Sequence, residues 1–582
     1  MKKTLAFILA LAMILCLSLA FADGEKVTAT GKGQGIDGDV VVEIEADQDK
    51  IYSVKVIEQN ETPGIGTVAV EKLPDAIVES NSILVDSISG ATVTSVAITA
   101  AVREALTSAG LDPAVFEKEI AAAEVPAEKE AVTLECDVVI VGAGGAGLTA
   151  AVRANQEGAT VLVLEKMAMV GGNSLKASGG MNCAGTKFQE AQGITDSGVQ
   201  EFIEDTMNGG HQMNDLALVT TMAENSASAV EWLETIGAPL PKVAATGGTT
   251  HKYLHSPEDG SPVGSYLVAK LNEQAQKQGI DIRLNTTVTE ILMQDGAAVG
   301  VKAEDAAHVY TVNAKAVILA TGGFGSNFEL MTSFNPSLAN AVTTNHPGAT
   351  GDGILMAEAV GAATVDMEQI QLHPTVYQAT SMLVSEKMRS LGAILVNQEG
   401  KRFTNDLSTR DAVSAAELEQ TGGYAYIIFD QNLVDHNKSA KEYIEKGMAA
   451  TGETYEELAK NMGLEGDAIA AFEATMDTWN KAVAAGKDEE FGRNNGMDDN
   501  LATAPFYAIQ IAPGIHHTMG GIKINPNTEV INTKGEVIPG LFAAGEVTGG
   551  VHGGNRIGGN AVCDFVVFGR IAGQQAAAYA AK

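Results

Sequence analysis

Four blocks of this chain set arginine or histidine beside glycine, proline or hydroxyl residues. His373 stands in Leu372-His-Pro-Thr375 and Arg410 in Ser408-Thr-Arg-Asp411. His517 stands in His516-His-Thr-Met-Gly-Gly521 and Arg556 in His552-Gly-Gly-Asn-Arg-Ile-Gly-Gly-Asn560. Bidentate arginine and histidine are the side chains best suited to gripping carboxylates. Taken singly each has a plainer reading, as a hydrogen-bonded structural histidine or a surface salt-bridge partner. A second chemistry is written in Gly142-Ala-Gly-Gly-Ala-Gly147, which ends the apolar run Val138-Val-Ile-Val141. Gly142, Gly144, Gly145, Ala146 and Gly147 let backbone approach a pyrophosphate at a helix N-terminus. Glu165, 18 residues past Gly147, can accept hydrogen bonds from ribose hydroxyls. A third element, Asp86-Ser-Ile-Ser-Gly-Ala-Thr92 followed by Thr94 and Ser95, gathers hydroxyls at a turn.

The elements that must hold these residues follow from periodicity. Residues 25–110 alternate like strands, as in Val40-Val-Val-Glu-Ile-Glu and Ile51-Tyr-Ser-Val-Lys-Val-Ile, with a helix over Val96–Leu106. Residues 119–133 read as a charged Ala/Pro linker. Beyond Cys136 the order is strand, glycine turn, helix (Leu148–Glu157) and strand (Thr160–Leu164), a βαβ unit. A later strand, Ala316–Ala320, ends in Thr321-Gly322-Gly323. Residues 365–505 lack βα alternation and hold helical stretches at Glu456–Met462 and Ala468–Ala484, and a helix over Cys563–Ala580 closes the domain. The expected class is α/β: a Rossmann-like dinucleotide domain (126–364 with 506–582), an α+β cap inserted over 365–505, and a small α+β domain (23–125) in front.

Composition narrows the partners. With 582 residues, 63 glycines and a net charge of −35, the chain is suited to neither nucleic acid nor an anionic membrane, and any anion site must concentrate its own cations. Lys2 and Lys3 before the apolar stretch Leu5–Phe21, then Ala20-Phe-Ala22, read as a signal peptide over 1–22, the alternative being a retained anchor. An exported protein, periplasmic or at the cell surface, is expected. Cys16 falls in that segment. Cys136, Cys183 and Cys563 form neither CxxC nor CxxCH, which excludes c-type haem and argues against a cysteine-ligated cluster. The histidines show no HExxH spacing, so no catalytic metal is expected.

The glycine motif alone leaves NAD open. Three further pieces favour FAD: Gly171-Gly172-Asn173-Ser174 with Gly179 and Gly180 behind it, Ala320-Thr321-Gly322-Gly323, and Ala544-Gly-Glu546. With Asn345-His-Pro-Gly-Ala-Thr-Gly-Asp352-Gly353 and the histidine and arginine blocks above, residues 133–582 resemble the flavoprotein family of fumarate reductases, succinate dehydrogenases and flavocytochrome c. The resemblance implies an FAD site that includes Glu165, Lys166, Asp352 and Glu546. Asn173 stands where membrane-bound relatives carry the flavin-linked histidine, which implies a non-covalent FAD. The Asp86–Thr92 element resembles the covalent FMN attachment motif of secreted flavin modules, with Thr92 as the phosphoester site and Thr94 as the second choice. Glu61-Thr-Pro-Gly-Ile-Gly66 resembles another element of that module.

Carried over residue by residue, the resemblance implies one carboxylate held by His517 and Arg556. The other would be held by His373, Ser385 and the backbone near Glu386. Arg410 occupies the proton-donor position and Glu386 and Arg389 the relay, an electrostatic role for Arg410 being the alternative. Ser385 stands where threonine is familiar, Gly554 where alanine is, and Cys563 where serine is; none removes a functional group. The expected enzyme is an exported reductase of an activated C=C bond, with hydride from FAD N5 and electrons relayed through covalent FMN. Fumarate is the first substrate, and urocanate, methacrylate or a cinnamate-like acid the alternative. Expected partners are a membrane electron donor and a flavin-transferring enzyme. The reading from a different class is a secreted flavin electron carrier without a substrate of its own.

Overall fold

Val40, Val42, Ile44 and Ala46 alternate along one strand and are all buried, the period-two pattern of a sheet with one covered face. A computed structural model describes residues 26–35, 38–61, 66–88, 91–118 and 128–582. The expected signal segment, 1–22, lies outside them. The chain divides into two compact units after Glu124.

In the first unit β1 (Val27–Gln34), β2 (Asp39–Ala46) and β3 (Ile51–Glu58) form an antiparallel sheet in that order. Helices α1 (Gly66–Ser80) and α2 (Thr92–Ser108) pack on it. Helix α2 buries Ala97, Ile98, Ala101, Val102, Ala105 and Leu106, the spacing of one helical face. It lies against β1 so closely that a Cβ on Gly33 would come within 1.9 Å of the Ala97 carbonyl oxygen. The helix starts at Thr92 rather than Val96, so the hydroxyl motif forms its first turn.

In the second unit β4 (Glu130–Val141), α3 (Gly145–Gln156) and β5 (Val161–Leu164) form the βαβ start. Then come β6 (Asp281–Arg283), β7 (Thr287–Gln294), β8 (Ala297–Glu304) and β9 (His308–Leu319). The chain leaves for β10 (Ile370–Tyr377), β11 (Ile394–Val396), α4 (Arg410–Leu418), β12 (Ala425–Asp430) and β13 (Ala449–Gly452). Helices α5 (Tyr455–Asn461) and α6 (Asp467–Ala485) follow, then β14 (Phe506–Thr518). It returns through β15 (Glu529–Ile531), β16 (Val537–Ala543) and α7 (Asn560–Ala580). The main sheet runs β7-β8-β9-β4-β5-β6, with β16 also on β9, and β9, β4, β5, β6 and β16 are parallel. Residues 130–133, expected in a linker, instead extend β4, held by pairing from His308↔Glu130 to Thr311↔Thr133.

The 365–505 segment contains a sheet as well as the two expected helices. Its order is β10-β14-β12-β11, all antiparallel, with β13 also on β14, so it takes in residues 506–518 beyond the expected boundary. Strand β12 is buried at every position because the sheet is covered on both faces: Ile427 and Phe429 enter one core, Tyr426 and Ile428 the other. An unbroken apolar run of five residues, Ala425–Phe429, has no period to read, which is why it gave no strand signal. Below this sheet lies a buried ionic cluster. Asp406 takes bonds from Arg402 (2.7 Å) and Arg493 (3.2 Å), and Asp488 takes one from Arg402 (2.9 Å). Both guanidinium carbons lie 4.7 Å from the Trp479 ring centre.

Candidate active site

The turn after β4 is shaped by glycine. Gly142 has φ +101°, and a Cβ on Gly147 would come within 1.9 Å of the Gly142 carbonyl oxygen. Gly147 therefore serves helix–strand packing and does not line the cavity, whereas Gly142, Gly144, Gly145 and Ala146 do. Helix α3 presents its N-terminus there without a side-chain cap from Gly144; the Gly145 N–H donates to Ser174 Oγ (3.0 Å), and the N–H groups next along the first turn are left for an anion. Glu165 accepts the Ala143 and Met167 N–H groups (both 2.8 Å), which fixes its carboxylate at the rim. Lys166 Nζ donates to Asp352 and to Thr350 (both 2.6 Å). Gly172, Asn173, Ser174, Gly179, Gly180, Thr321, Gly322, Asp352 and Glu546 line the same cavity, of about 1430 Å³. Asn173 is fully engaged: its amide donates to Asn345 (2.6 Å) and Glu546 (3.1 Å), and its oxygen accepts the His346 N–H (2.6 Å). An engaged amide offers no nucleophile, in keeping with a flavin held without a covalent bond.

The far part of the cavity is walled by His373, Ser385, Glu386, Arg410, His517 and Arg556, from blocks spread over nearly 200 residues of sequence. Arg410 opens α4 and donates to Gln371 Oε1 (3.1 Å) and Glu386 Oε2 (2.8 Å). Arg556 donates to the same Gln371 oxygen (3.2 Å). Gln371 in turn donates to Asn555 Oδ1 (2.6 Å) and the Arg556 carbonyl (2.7 Å), so one amide sets both guanidinium planes. Sequence reasoning missed Gln371. Its signal was period two: Gln371 and His373 are both buried on β10 and share a face.

The polar atoms at this wall lack partners. The Nε atoms of Arg410 and Arg556, Nε2 of His373 and both ring nitrogens of His517 are buried without a hydrogen bond. His373 Nδ1 accepts the Thr375 N–H (3.2 Å), which assigns the proton of the neutral ring to Nε2, the open atom. Burial, then Arg410, Arg389 and Arg556, pushes the His373 pKa well below the usual range; burial, then Arg556, does the same for His517. Both histidines are thus held toward the neutral form, and the cations of this wall are its arginines. Burial, with Arg410, draws the Arg556 pKa down to about 9. Burial works against ionisation of Glu386, yet Arg410 and Arg389 hold it at about 2. Ser385 Oγ lies 3.4 Å from Ser178 Oγ and accepts the Lys387 N–H (3.3 Å). Arg389 does not reach the cavity. It is fully buried behind Glu386, at 3.4 Å from Oε1.

This order of blocks around one cavity is matched by a family model, described as FAD binding domain, over residues 137–562. The chain belongs to the fumarate reductase and succinate dehydrogenase flavoprotein family. It is an oxidoreductase acting on CH–CH groups. A second model, described as FMN-binding domain, matches residues 35–107, and its cofactors are FAD and FMN. The NADH:fumarate oxidoreductase of Klebsiella pneumoniae is 45% identical over 539 residues, 92% of this chain. The chain spans 57% of that relative's length. The urocanate reductase of Eggerthella lenta is 37% identical over 558 residues, covering 93% of this chain and 90% of the relative. Among solved structures, the open conformation of a flavocytochrome c3 fumarate reductase matches with TM-score 0.66 and 44% identity, over 77% of this chain and 79% of that one.

In the first unit the FMN motif surrounds the start of α2. Ser89 and Gly90, residues 62–65 and the side chain of Thr92 lie outside what the structure describes. Thr92 is the first helical residue, after Ala91, whose side chain cannot cap. The other two hydroxyls are engaged. Thr94, fully buried, donates to the Glu61 carboxylate; Ser95 donates to the Ala91 carbonyl (2.9 Å) and accepts the Ile88 N–H (3.0 Å).

Proposed function

We propose that this protein reduces the C=C bond of a small dicarboxylate, fumarate to succinate. The observation that carries the reading is the set of buried, unpartnered N–H groups on Arg410, Arg556, His373 and His517, which need an acceptor-rich anion to satisfy them. His517 and Arg556 would hold one carboxylate, and His373 with Ser385 the other. FAD, when bound, supplies the hydride. Arg410 is the proton donor. A guanidinium is a poor acid, but loss of its proton removes the largest of the three arginine charges that hold Glu386 ionised. Glu386 then becomes able to take a proton from Arg389 and return it to Arg410.

The electron path and address belong to the same reading. FMN would be esterified at Thr92, the first residue of α2, whose start carries no side-chain cap and where Thr94 and Ser95 are already engaged. A flavin-transferring enzyme attaches it, a membrane donor reduces it, and the protein works outside the cytoplasm after removal of residues 1–22. The likeness to a urocanate reductase favours a second reading, another enoate at the same site. The test is anaerobic oxidation of a reduced viologen by flavin-loaded protein, with fumarate, urocanate, methacrylate and cinnamate offered separately. Turnover with fumarate alone is expected. Turnover with only a mono-acid would overturn the dicarboxylate assignment, and none with any would leave a carrier.

A further inference from the structure

The cavity is one continuous space from the N-terminus of α3 to the wall of arginines and histidines. A dinucleotide whose pyrophosphate sits at that N-terminus can bring its ring to a guest at the wall only across the stretch between. Contacts on either side mark that stretch. On the groove side Asn173 donates to Asn345 Oδ1 (2.6 Å). On the clamp side Thr344 Oγ1 lies 2.8 Å from His516 Nδ1, and the His516 ring centre is 5.0 Å from that of His373. Lys176 joins the two sides: its Nζ donates to the Thr344 (2.9 Å) and Asn345 (3.1 Å) carbonyls.

Lys176 stands there as a cation without a counter-charge. An ammonium has three donors, and the fold uses two of them. No carboxylate lies within 4.0 Å of its Nζ among the described residues, whereas Lys166, in the same cavity, is matched by Asp352 at 2.6 Å. The Lys176 side chain is exposed, yet enough protein surrounds it for burial to lower its pKa to about 8, so the space it faces is the cavity. It is therefore charged at neutral pH. Its field reaches the wall around it: burial first, then Lys176 and Lys166, lowers the pKa of His346 to about 4.

We propose that Lys176 sets the reduction potential of FAD, its unmatched charge favouring the reduced ring. Reduction by two electrons and one proton, FAD + 2e− + H+ → FADH−, leaves the ring one negative charge richer. A fixed cation beside the ring stabilises that form and acts little on the oxidised one. A higher potential fills the ring more readily and empties it on to the alkene less readily. Lys176 thus sets the balance between the two half-reactions, whichever enoate is reduced.

The test is spectroelectrochemical titration, at neutral pH, of the full protein carrying both flavins, as the parent, Lys176→Met and Lys176→Arg. Methionine keeps the apolar stem and removes the charge. The FAD equilibrium should then favour the reduced form at least about tenfold less, a potential about 30 mV lower for a two-electron couple. The FMN wave, from the other unit, should stay in place in all three proteins. Lys176→Arg keeps the charge and should hold most of the parent's potential. An FAD potential unmoved in Lys176→Met would mean that Lys176 only ties two carbonyls, and would overturn the proposal. Equal losses in the methionine and arginine proteins would overturn it too, since charge would then not be the cause. If Lys176→Met does not retain FAD through the titration, anaerobic calorimetry with oxidised and with reduced FAD reads the same quantity. Reduced FAD should lose at least about tenfold more affinity than oxidised FAD, and equal losses would overturn the proposal.

Discussion

Two arginine clusters lie buried in the same unit, and they are built to opposite rules. Around Trp479, Arg402 and Arg493 meet Asp406 and Asp488, and Arg493 also donates to the Ala393, Arg389, Asn495 and Gly496 carbonyls. Around Gln371, Arg410 and Arg556 share one amide oxygen and leave their Nε groups open beside neutral histidines. Both sets are desolvated, so burial alone does not separate a structural cation from a binding one. The separating property is whether the fold supplies counter-charges: Arg402 and Arg493 meet two carboxylates, although Arg402 Nε is also unpartnered, whereas Arg556 bonds only to neutral oxygens. A cluster matched in charge holds the cap together; one richer in cations and open donors stores affinity for an anionic guest.

The sharpest way to break this contrast is to remove one charged residue from each side. Arg410→Ala should lower kcat by about 10³- to 10⁴-fold while leaving the thermal midpoint little changed. A collapse of the fold instead would place Arg410 with the structural set. Asp406→Ala leaves Arg402 and Arg493 short of a counter-charge, and unfolding by denaturant should show a loss of about 3–5 kcal/mol. Full stability there would mean that the Trp479 cluster carries none of the load assigned to it. Next in size, Arg556→Lys keeps the charge but not the fork, and the KM for fumarate should rise about 10- to 100-fold. An unchanged KM would remove Arg556 from the clamp.

The smallest effect concerns Lys176, which lines the cavity and donates to the Thr344 (2.9 Å) and Asn345 (3.1 Å) carbonyls. Burial lowers its pKa to about 8. An anion favours the protonated form, so binding takes up a proton above that value. FAD affinity should therefore be full below about pH 8 and weaken as the pH rises through it, by at most about tenfold per unit. Flavin fluorescence titrations of the parent and Lys176→Met would check this, the slope being expected only in the parent.

What could be read from the sequence follows the same division. The FAD groove was legible because its glycines, Glu165 and α3 are contiguous and backbone geometry dictates residue type. Its one misplacement was Gly147, which packs rather than contacts. The clamp residues were legible through their blocks, but the partners that aim them were not. Gln371 carries no motif, and the cap sheet hid in uniform apolar runs buried on both faces. The charge state of His373 and His517 was also beyond reach, since it depends on arginines more than ten residues away in every case. In the first unit the helix start at Thr92 was missed because Thr and Ser are read as turn residues when no N-cap side chain precedes them.

Helix α7 lies along α3 at a distance only small residues permit: a Cβ on Gly573 would come within 2.4 Å of the Ala150 carbonyl oxygen, and one on Gly569 within 2.9 Å of that of Ala146. The helix whose start forms the nucleotide turn is thus completed by residues made some 400 positions later. At ordinary translation rates of about 5–20 residues per second, the β4–α3 segment waits roughly 20–80 seconds for its partner, while the first unit is made by residue 124. The order of synthesis therefore separates completion of the two units in time. The FMN module can be finished while the FAD groove is still missing a wall, so any factor guarding the nascent chain has to shield the apolar face of α3 until residues 560–580 arrive.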